Sequence, residues 1–321
     1  MDLEARTDDV HRQVLQFLPP DLFDFADLEV GVARLMAMFA GAPAQLPDSV
    51  VVDDRRITTP DGHELLVRLY RPAQPGANLP ALYWVHGGGM VLGDVAMEDA
   101  QNAAVCEKLG IVVASVEYRL APAHPYPTPL DDCYLGLAWL FDNATDLGLD
   151  PQRIAIGGVS GGGGLAAGLA LLARDRGQLH PCFQLLRYPM IDDRNDTPSS
   201  HAVTDQRVWN RTANVASWAA YLGGRNGSAN VPSYAAPARE TNLAGLPPAI
   251  VTVGELDLFL DENIDYAQGL LRAGVATELH VYVGAFHASD VMVPHAPVSG
   301  RWRRDEFSAL ARAFGLDEPA S

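Results

Sequence analysis

Ile154-Ala155-Ile156-Gly157-Gly158-Val159-Ser160-Gly161-Gly162-Gly163-Gly164-Leu165-Ala166-Ala167 is the stretch on which the fold turns. A short apolar run leads into G-x-S-x-G at 158–162, and the helix-compatible Leu165–Ala170 follows, so the order reads strand, tight turn, helix. A nucleophile on such a turn sits in a strained backbone conformation. Small residues two places to either side, here Gly158 and Gly162, let the crossing backbones approach. The same turn sets Ser160 at a helix N-terminus, with the free N–H of Gly161 turned towards any oxyanion formed on an attacked carbonyl. A phosphate-binding loop is the rival reading. The run Gly161-Gly162-Gly163-Gly164 lacks its G-K-[ST] ending, which disfavours nucleotide binding.

Outward from this turn, short apolar runs alternate with helix-period stretches from about residue 50 onwards, the order of an α/β fold with a mostly parallel sheet. Val50-Val51-Val52 and Leu65–Tyr70 flank an Asp61-Gly62 turn and read as an antiparallel hairpin that opens the sheet. Ala81–Val85, Ile111–Val116, Ile154–Ile156, Phe183–Leu186, Ala249–Val253 and Leu279–Val283 complete eight strands. Most are continuous apolar runs, as strands covered on both faces should be. Helices are expected near 97–109, 130–144, 162–176, 262–273 and 301–314. Residues 1–45, an amphipathic lead, and 190–240, a polar insertion carrying Trp209, Trp218 and Tyr221, break the alternation. An insertion between strands lies over an edge or over the strand ends, so both segments are expected to pack together as a mainly helical cap above the site. The catalytic domain then spans 46–321.

His86-Gly87-Gly88-Gly89 directly follows the strand at 81–85. Three glycines there let main-chain N–H groups reach a ligand with no Cβ in the way, and Gly87 and Gly88 are the candidates to complete an oxyanion hole with Gly161. A serine hydroxyl needs a general base and a group to orient it, supplied later in the chain as acid and then histidine. Asp257 follows the strand at 249–253, where sites of open α/β sheets gather. Glu255 is its main rival, while Asp261 and Glu262 suit the first turn of a helix. His287 follows the strand at 279–283. His280 lies within that strand, His11 in the lead, His63 in the hairpin and His86 in the glycine loop, which leaves His295 as the positional competitor.

With 23 Lys+Arg against 40 Asp+Glu the formal charge is −17, which excludes a protein that coats nucleic acid. The acidity, carried beside 22 Arg and the single Lys108, reads as a solubility device. A chain that is 48% hydrophobic and 20% charged can bury a large core. No long apolar run and no basic-then-apolar start occurs, and a cytoplasmic protein is expected. Cys106, Cys133 and Cys182 are widely spaced in apolar stretches and read as buried thiols. Without H-E-x-x-H or a cysteine pair at ligand spacing, no metal is expected.

Four stretches together resemble the hormone-sensitive lipase family of α/β-hydrolases, in its bacterial esterase branch: His86–Gly89, Tyr118-Arg119-Leu120-Ala121-Pro122-Ala123-His124-Pro125-Tyr126-Pro127, the turn around Ser160, and Asp257 with Asp261-Glu262. The resemblance runs from about residue 50 to the C-terminus. It implies an α/β-hydrolase fold, a serine carboxylesterase with a Ser160–Asp257–His287 triad acting on short-chain acyl esters, an N-terminal cap, and no cofactor. Val159 and Gly161 depart from the family's usual G-D-S-A-G-G, Leu258-Phe259 from Pro-Leu in its acid motif, and Ala123 from a usual glutamate. An amidase or carbamate hydrolase with the same machinery stays open; a non-catalytic receptor is opposed by His287, and a lipase of emulsified fat by the polar insertion. The last strand, near 279–283, leaves an edge through which a homodimer is expected.

Overall fold

The computed structural model describes residues 1–39 and 45–317. Eight strands form one sheet: β1 Val50–Thr58, β2 Glu64–Pro72, β3 Leu79–Val85, β4 Val112–Val116, β5 Leu149–Val159, β6 Gln184–Arg187, β7 Ala249–Gly254 and β8 Thr277–Tyr282. Their order is β1-β2-β4-β3-β5-β6-β7-β8. The β1–β2 hairpin is antiparallel, as is β2 with β4, and every later pairing is parallel.

Neighbouring residues on the central strands enter opposite cores, which is why these runs are apolar throughout. Tyr83, Val85, Ile154, Ile156, Leu186 and Val251 pack into one core, and Leu82, Trp84, Ala155, Leu185 and Ile250 into the other. Helices Asp99–Leu109, Thr128–Asp142, Gly161–Arg176, Leu260–Arg272 and Pro297–Phe314 cover the two faces. β5 starts five residues earlier than its apolar run because Leu149 pairs with Leu79 across a bulge, while the intervening polar Asp150–Arg153 hides this pairing from a hydropathy reading. Cys106 and Cys133 are buried, but Cys182 is only half-buried, on the loop that leads into β6.

The lead carries helices Leu3–Arg6, Asp9–Phe17 and Leu28–Phe39, and the insertion carries Pro198–Ala202 and Arg211–Leu222. They meet directly. Phe23 N–H donates to Gln206 O at 2.7 Å, the Asn210 amide donates to Phe23 O at 3.1 Å, and Arg207 reaches Glu4 at 2.6 Å. Trp209 stands edge-on to Phe23 and Phe25. Although its sequence is polar overall, the insertion buries Trp209, Trp218 and Tyr221. Its attachment to the sheet runs through the first turn of the 260–272 helix: Asp261 accepts from Ser199 N–H at 2.7 Å and Glu262 from Ile191 N–H at 2.9 Å.

Candidate active site

Ser160 joins β5 to the 161–176 helix with φ +54° and ψ −119°, a conformation that L-residues rarely adopt. Its N–H donates to Arg187 O at 2.9 Å, and its carbonyl accepts from Gly164 at 3.0 Å and Met190 at 2.9 Å. The glycines at either side are required by contact. A Cβ on Gly158 would lie 2.3 Å from Gly162 O, and one on Gly162 would lie 2.2 Å from both Val85 O and His86 O.

The later strand ends bring the other two residues to this serine. His287 Nε2 is 3.0 Å from Ser160 Oγ, and His287 Nδ1 is 2.8 Å from Asp257 Oδ2. Asp257 Oδ1 also accepts the Phe259 N–H at 3.0 Å, so the carboxylate is held from two directions. Asp257 is fully buried, while Ser160 and His287 each keep 6% of their surface. Tyr188 and Phe259 meet the imidazole edge-on at 4.7 and 5.2 Å between centroids, and Trp209 lies 6.2 Å away. The rivals stand elsewhere: Glu255 pairs with Arg6 and accepts Gly284 N–H at 3.0 Å, and His295 is exposed.

The glycine loop after β3 turns through positive φ at Gly88 and Gly89 and is tied down by side chains. His86 Nδ1–H donates to Gly87 O at 2.8 Å, which makes Nε2 the unprotonated nitrogen. The His86 ring stacks on Tyr118 at 4.1 Å, and burial lowers its pKa to about 4. Tyr118 O–H donates to His86 O at 3.0 Å and Ala121 N–H to Met90 O at 2.9 Å, so the Tyr118–Pro127 stretch secures this loop. The Gly87 N–H, expected at an oxyanion, instead donates to Glu98 Oε1 at 3.0 Å. Gly89 takes its place beside the serine turn: a Cβ on Gly161 would lie 2.8 Å from Gly89 N.

Glu98 was not legible as a site residue. It belongs to no motif, and only the short 3₁₀ turn Val95–Glu98 carries it back to the loop. Its other oxygen accepts the Trp84 indole N–H. Burial raises its pKa, against the lowering effect of the Gly87 and Trp84 hydrogen bonds and the Arg187 charge.

Above Ser160 opens a cavity of about 290 Å³, walled by Phe23, Leu35, Val159, Tyr188, Trp209 and Val291 among others. Phe23 and Leu35 come from the lead and Trp209 from the insertion. Among the described residues no three His, Cys, Asp or Glu side chains are grouped to hold a metal ion, and no helix is long and apolar enough to cross a membrane.

A buried acid, an imidazole and a serine on a strand-to-helix turn, at the C-terminal ends of strands in an eight-stranded, mostly parallel sheet, define the α/β-hydrolase class. Residues 82–290 match the family described as alpha/beta hydrolase fold, and the chain belongs to that family, as its motifs led one to expect. It is 37% identical over 263 residues to carboxylesterase NlhH of Mycobacterium tuberculosis, covering 81% of this chain and 82% of that one. Ethyl acetate hydrolase of Pseudomonas putida is 36% identical over 259 residues, 78% of each chain. The solved structure of a bacterial heroin esterase superposes with a TM-score of 0.92 at 40% identity, covering 97% of this chain and 98% of that one.

Proposed function

We propose that this carboxylic ester hydrolase cleaves short-chain acyl esters by a two-step acyl transfer. His287 takes the Ser160 proton as Ser160 Oγ attacks the ester carbonyl. Asp257 holds the imidazole in the required tautomer and stabilises its charge, and the N–H groups of Gly88, Gly89 and Gly161 receive the oxyanion. The alcohol leaves with the proton returned by His287. Water then attacks the acyl-enzyme with His287 again as base, and the acid is released. The observation that carries this reading is the continuous chain Ser160 Oγ, His287, Asp257 at 3.0 and 2.8 Å, opening onto an apolar cavity.

A cavity of about 290 Å³ is at the small end for ligand clefts and supports short acyl chains. The shared walls of that cavity support reading 1–45 and 190–240 as two parts of one cap. The test is hydrolysis of p-nitrophenyl esters from acetate to palmitate by wild type and Ser160→Ala. Turnover peaking at short chains and falling by about 10⁴ or more in the variant is expected. Turnover of amides or carbamates with none of esters would move the reaction to those substrates. The exposed Val281 and Val283 at and beyond the edge of β8 support pairing of two copies there. Light scattering that finds only monomer at micromolar concentration would remove it.

A further inference from the structure

We propose that Glu98 is a positioning residue for the oxyanion loop: by taking the Gly87 N–H and the Trp84 indole N–H on its two oxygens, it turns the next two N–H groups, of Gly88 and Gly89, towards the carbonyl attacked by Ser160. This rests on the acyl-transfer reading above.

The loop needs such a tether. Residues 88 and 89 are glycines at φ +111° and +59°, and Met90 follows at +62°, so three successive residues lie in a region where the backbone has little intrinsic preference to stay unless something holds it. The loop's own backbone bonds, Val91 and Leu92 N–H to Gly88 O, close the turn from inside and leave its entry free. The entry is the peptide between His86 and Gly87, and its orientation sets where the following N–H groups point. His86 Nδ1–H and Tyr118 O–H hold carbonyls on this stretch, at Gly87 and His86 respectively. Glu98 is the partner of its N–H, at 3.0 Å.

Glu98 is itself well anchored. Its 3₁₀ turn is capped by Asp94, which accepts Met97 N–H at 2.9 Å, and Val95 N–H donates to Glu117 at 2.7 Å. The Trp84 indole fixes the second oxygen, and the Arg187 guanidinium lies over the Trp84 ring at 5.4 Å from its centroid, supplying positive charge next to the carboxylate. An ionised carboxylate can accept from both donors at once, which no neutral side chain of this size can do equally well. In Glu98→Gln the amide nitrogen must face one of two N–H donors, so one of the two bonds is lost. Glu98→Ala loses both.

The readout separates positioning from a general structural role. Loss of loop alignment weakens the transition state and leaves the bound ester largely as it was, so kcat falls while KM holds. A trifluoromethyl ketone with a short alkyl chain supplies the second readout. Ser160 Oγ adds to its carbonyl carbon, the serine proton passes to His287, and the hemiketal oxyanion occupies the same N–H groups. On p-nitrophenyl acetate, Glu98→Ala is expected to lose about 10- to 100-fold in kcat, and Glu98→Gln less. Trp84→Phe, which removes the indole donor together with part of the ring, should give a smaller loss in the same direction. The ketone Ki should rise in step with the fall in kcat/KM across the three.

The proposal is overturned by unchanged kcat in Glu98→Gln and Glu98→Ala, or by a fall in kcat that leaves ketone affinity unaltered. A raised KM at unchanged kcat likewise overturns it and makes Glu98 a substrate contact. If Glu98→Ala fails to fold, the near-isosteric Glu98→Gln decides alone. Wild-type turnover abolished in Ser160→Ala is the baseline. Its absence refutes the acyl-transfer reading, whereas its presence with undiminished Glu98 variants refutes only the role of Glu98.

Discussion

Replacing Gly161 by alanine would bring the serine turn to the G-x-S-A-G pattern of the family it resembles, yet the geometry here makes it a damaging change. A Cβ at 161 would lie 2.8 Å from Gly89 Cα, Gly89 N and Met90 N, all backbone atoms of the oxyanion loop. Carbons rest at about 3.5 Å, so the loop would have to retreat by about 0.7 Å. It has little room to do so. On its far side a Cβ on Gly89 would already meet the Trp209 ring at 2.5 Å, and Glu98 holds Gly87 before it while Ala121 N–H holds Met90 after it. Misplacement by 1 Å costs on the order of 10² in rate, so a shift of this size should cost roughly 10- to 30-fold in kcat. KM should barely move, because the ground-state carbonyl gains little from these N–H groups. Steady-state kinetics on p-nitrophenyl acetate for Gly161→Ala, beside its Tm, is the assay. A kcat equal to or above wild type at an unchanged Tm would refute the reasoning and show that the loop yields without cost.

Asp257→Asn should leave KM near wild type and lower kcat by about 10⁴, since an amide can present the wrong partner to His287 Nδ1–H; a loss under tenfold would remove Asp257 from its role. Trp209→Ala removes the ring that walls the cavity beside Phe23 and should move the p-nitrophenyl ester optimum to longer chains, at about 3–5 kcal/mol of stability; an unchanged chain-length profile sinks the assignment of Trp209 as the limiting wall. Glu262 has its pKa raised well above the glutamate range by burial, with the Asp192 and Asp257 charges adding to it against two backbone N–H bonds. Its contribution to stability is therefore complete below the ordinary glutamate pKa of about 4.3 and is lost as pH rises towards the elevated value. Glu262→Gln stays neutral, so its Tm should gain on wild type from pH 4 to pH 8, and a difference constant across that range would contradict the assignment.

The central strands were readable because each residue of a doubly covered strand must be apolar, whichever core it enters; Leu82 and Tyr83 face opposite cores and are equally buried. The serine turn was readable for the opposite reason, since its glycines answer to contacts of 2.2–2.3 Å that admit no side chain. Asp257 and His287 followed from their place after β7 and β8. Illegible was everything set by the direction of a single bond. Nothing in His86-Gly87-Gly88-Gly89 tells which N–H points to the serine, because that depends on Glu98, eleven residues away by a turn of no recognisable pattern. The polar appearance of 190–240 likewise concealed Trp209, Trp218 and Tyr221, which are buried through contacts outside their own run, Trp209 against Phe23 and Phe25 of the lead and Tyr221 against Tyr126.

The nucleophile and the oxyanion loop prove to share one anchor. Holding Ser160 at φ +54° costs about 1–3 kcal/mol, and its own helix supplies only the Gly164 bond against this. The remaining restraint comes from the end of β6, through Arg187 O, and from the segment just after it, through Met190 N–H. The Arg187 side chain is buried, bonded to Glu306 at 3.0 Å and to Gln101 at 2.7 Å, with Asp290 at 3.5 Å, so the end of β6 can hardly shift without exposing an unpaired charge to an apolar surrounding. The same guanidinium lies over Trp84, whose indole N–H fixes the carboxylate that holds Gly87. Asp290 accepts the Tyr188 O–H at 2.9 Å, and the Tyr188 ring packs on His287. The nucleophile is thus bonded to the main chain of Arg187, and the base and the oxyanion loop are each three contacts from its buried guanidinium. Removing that charge would leave Glu306 and Asp290 buried without their cation and would free the supports of both the base and the oxyanion loop, which an apolar side chain of the same volume could not replace.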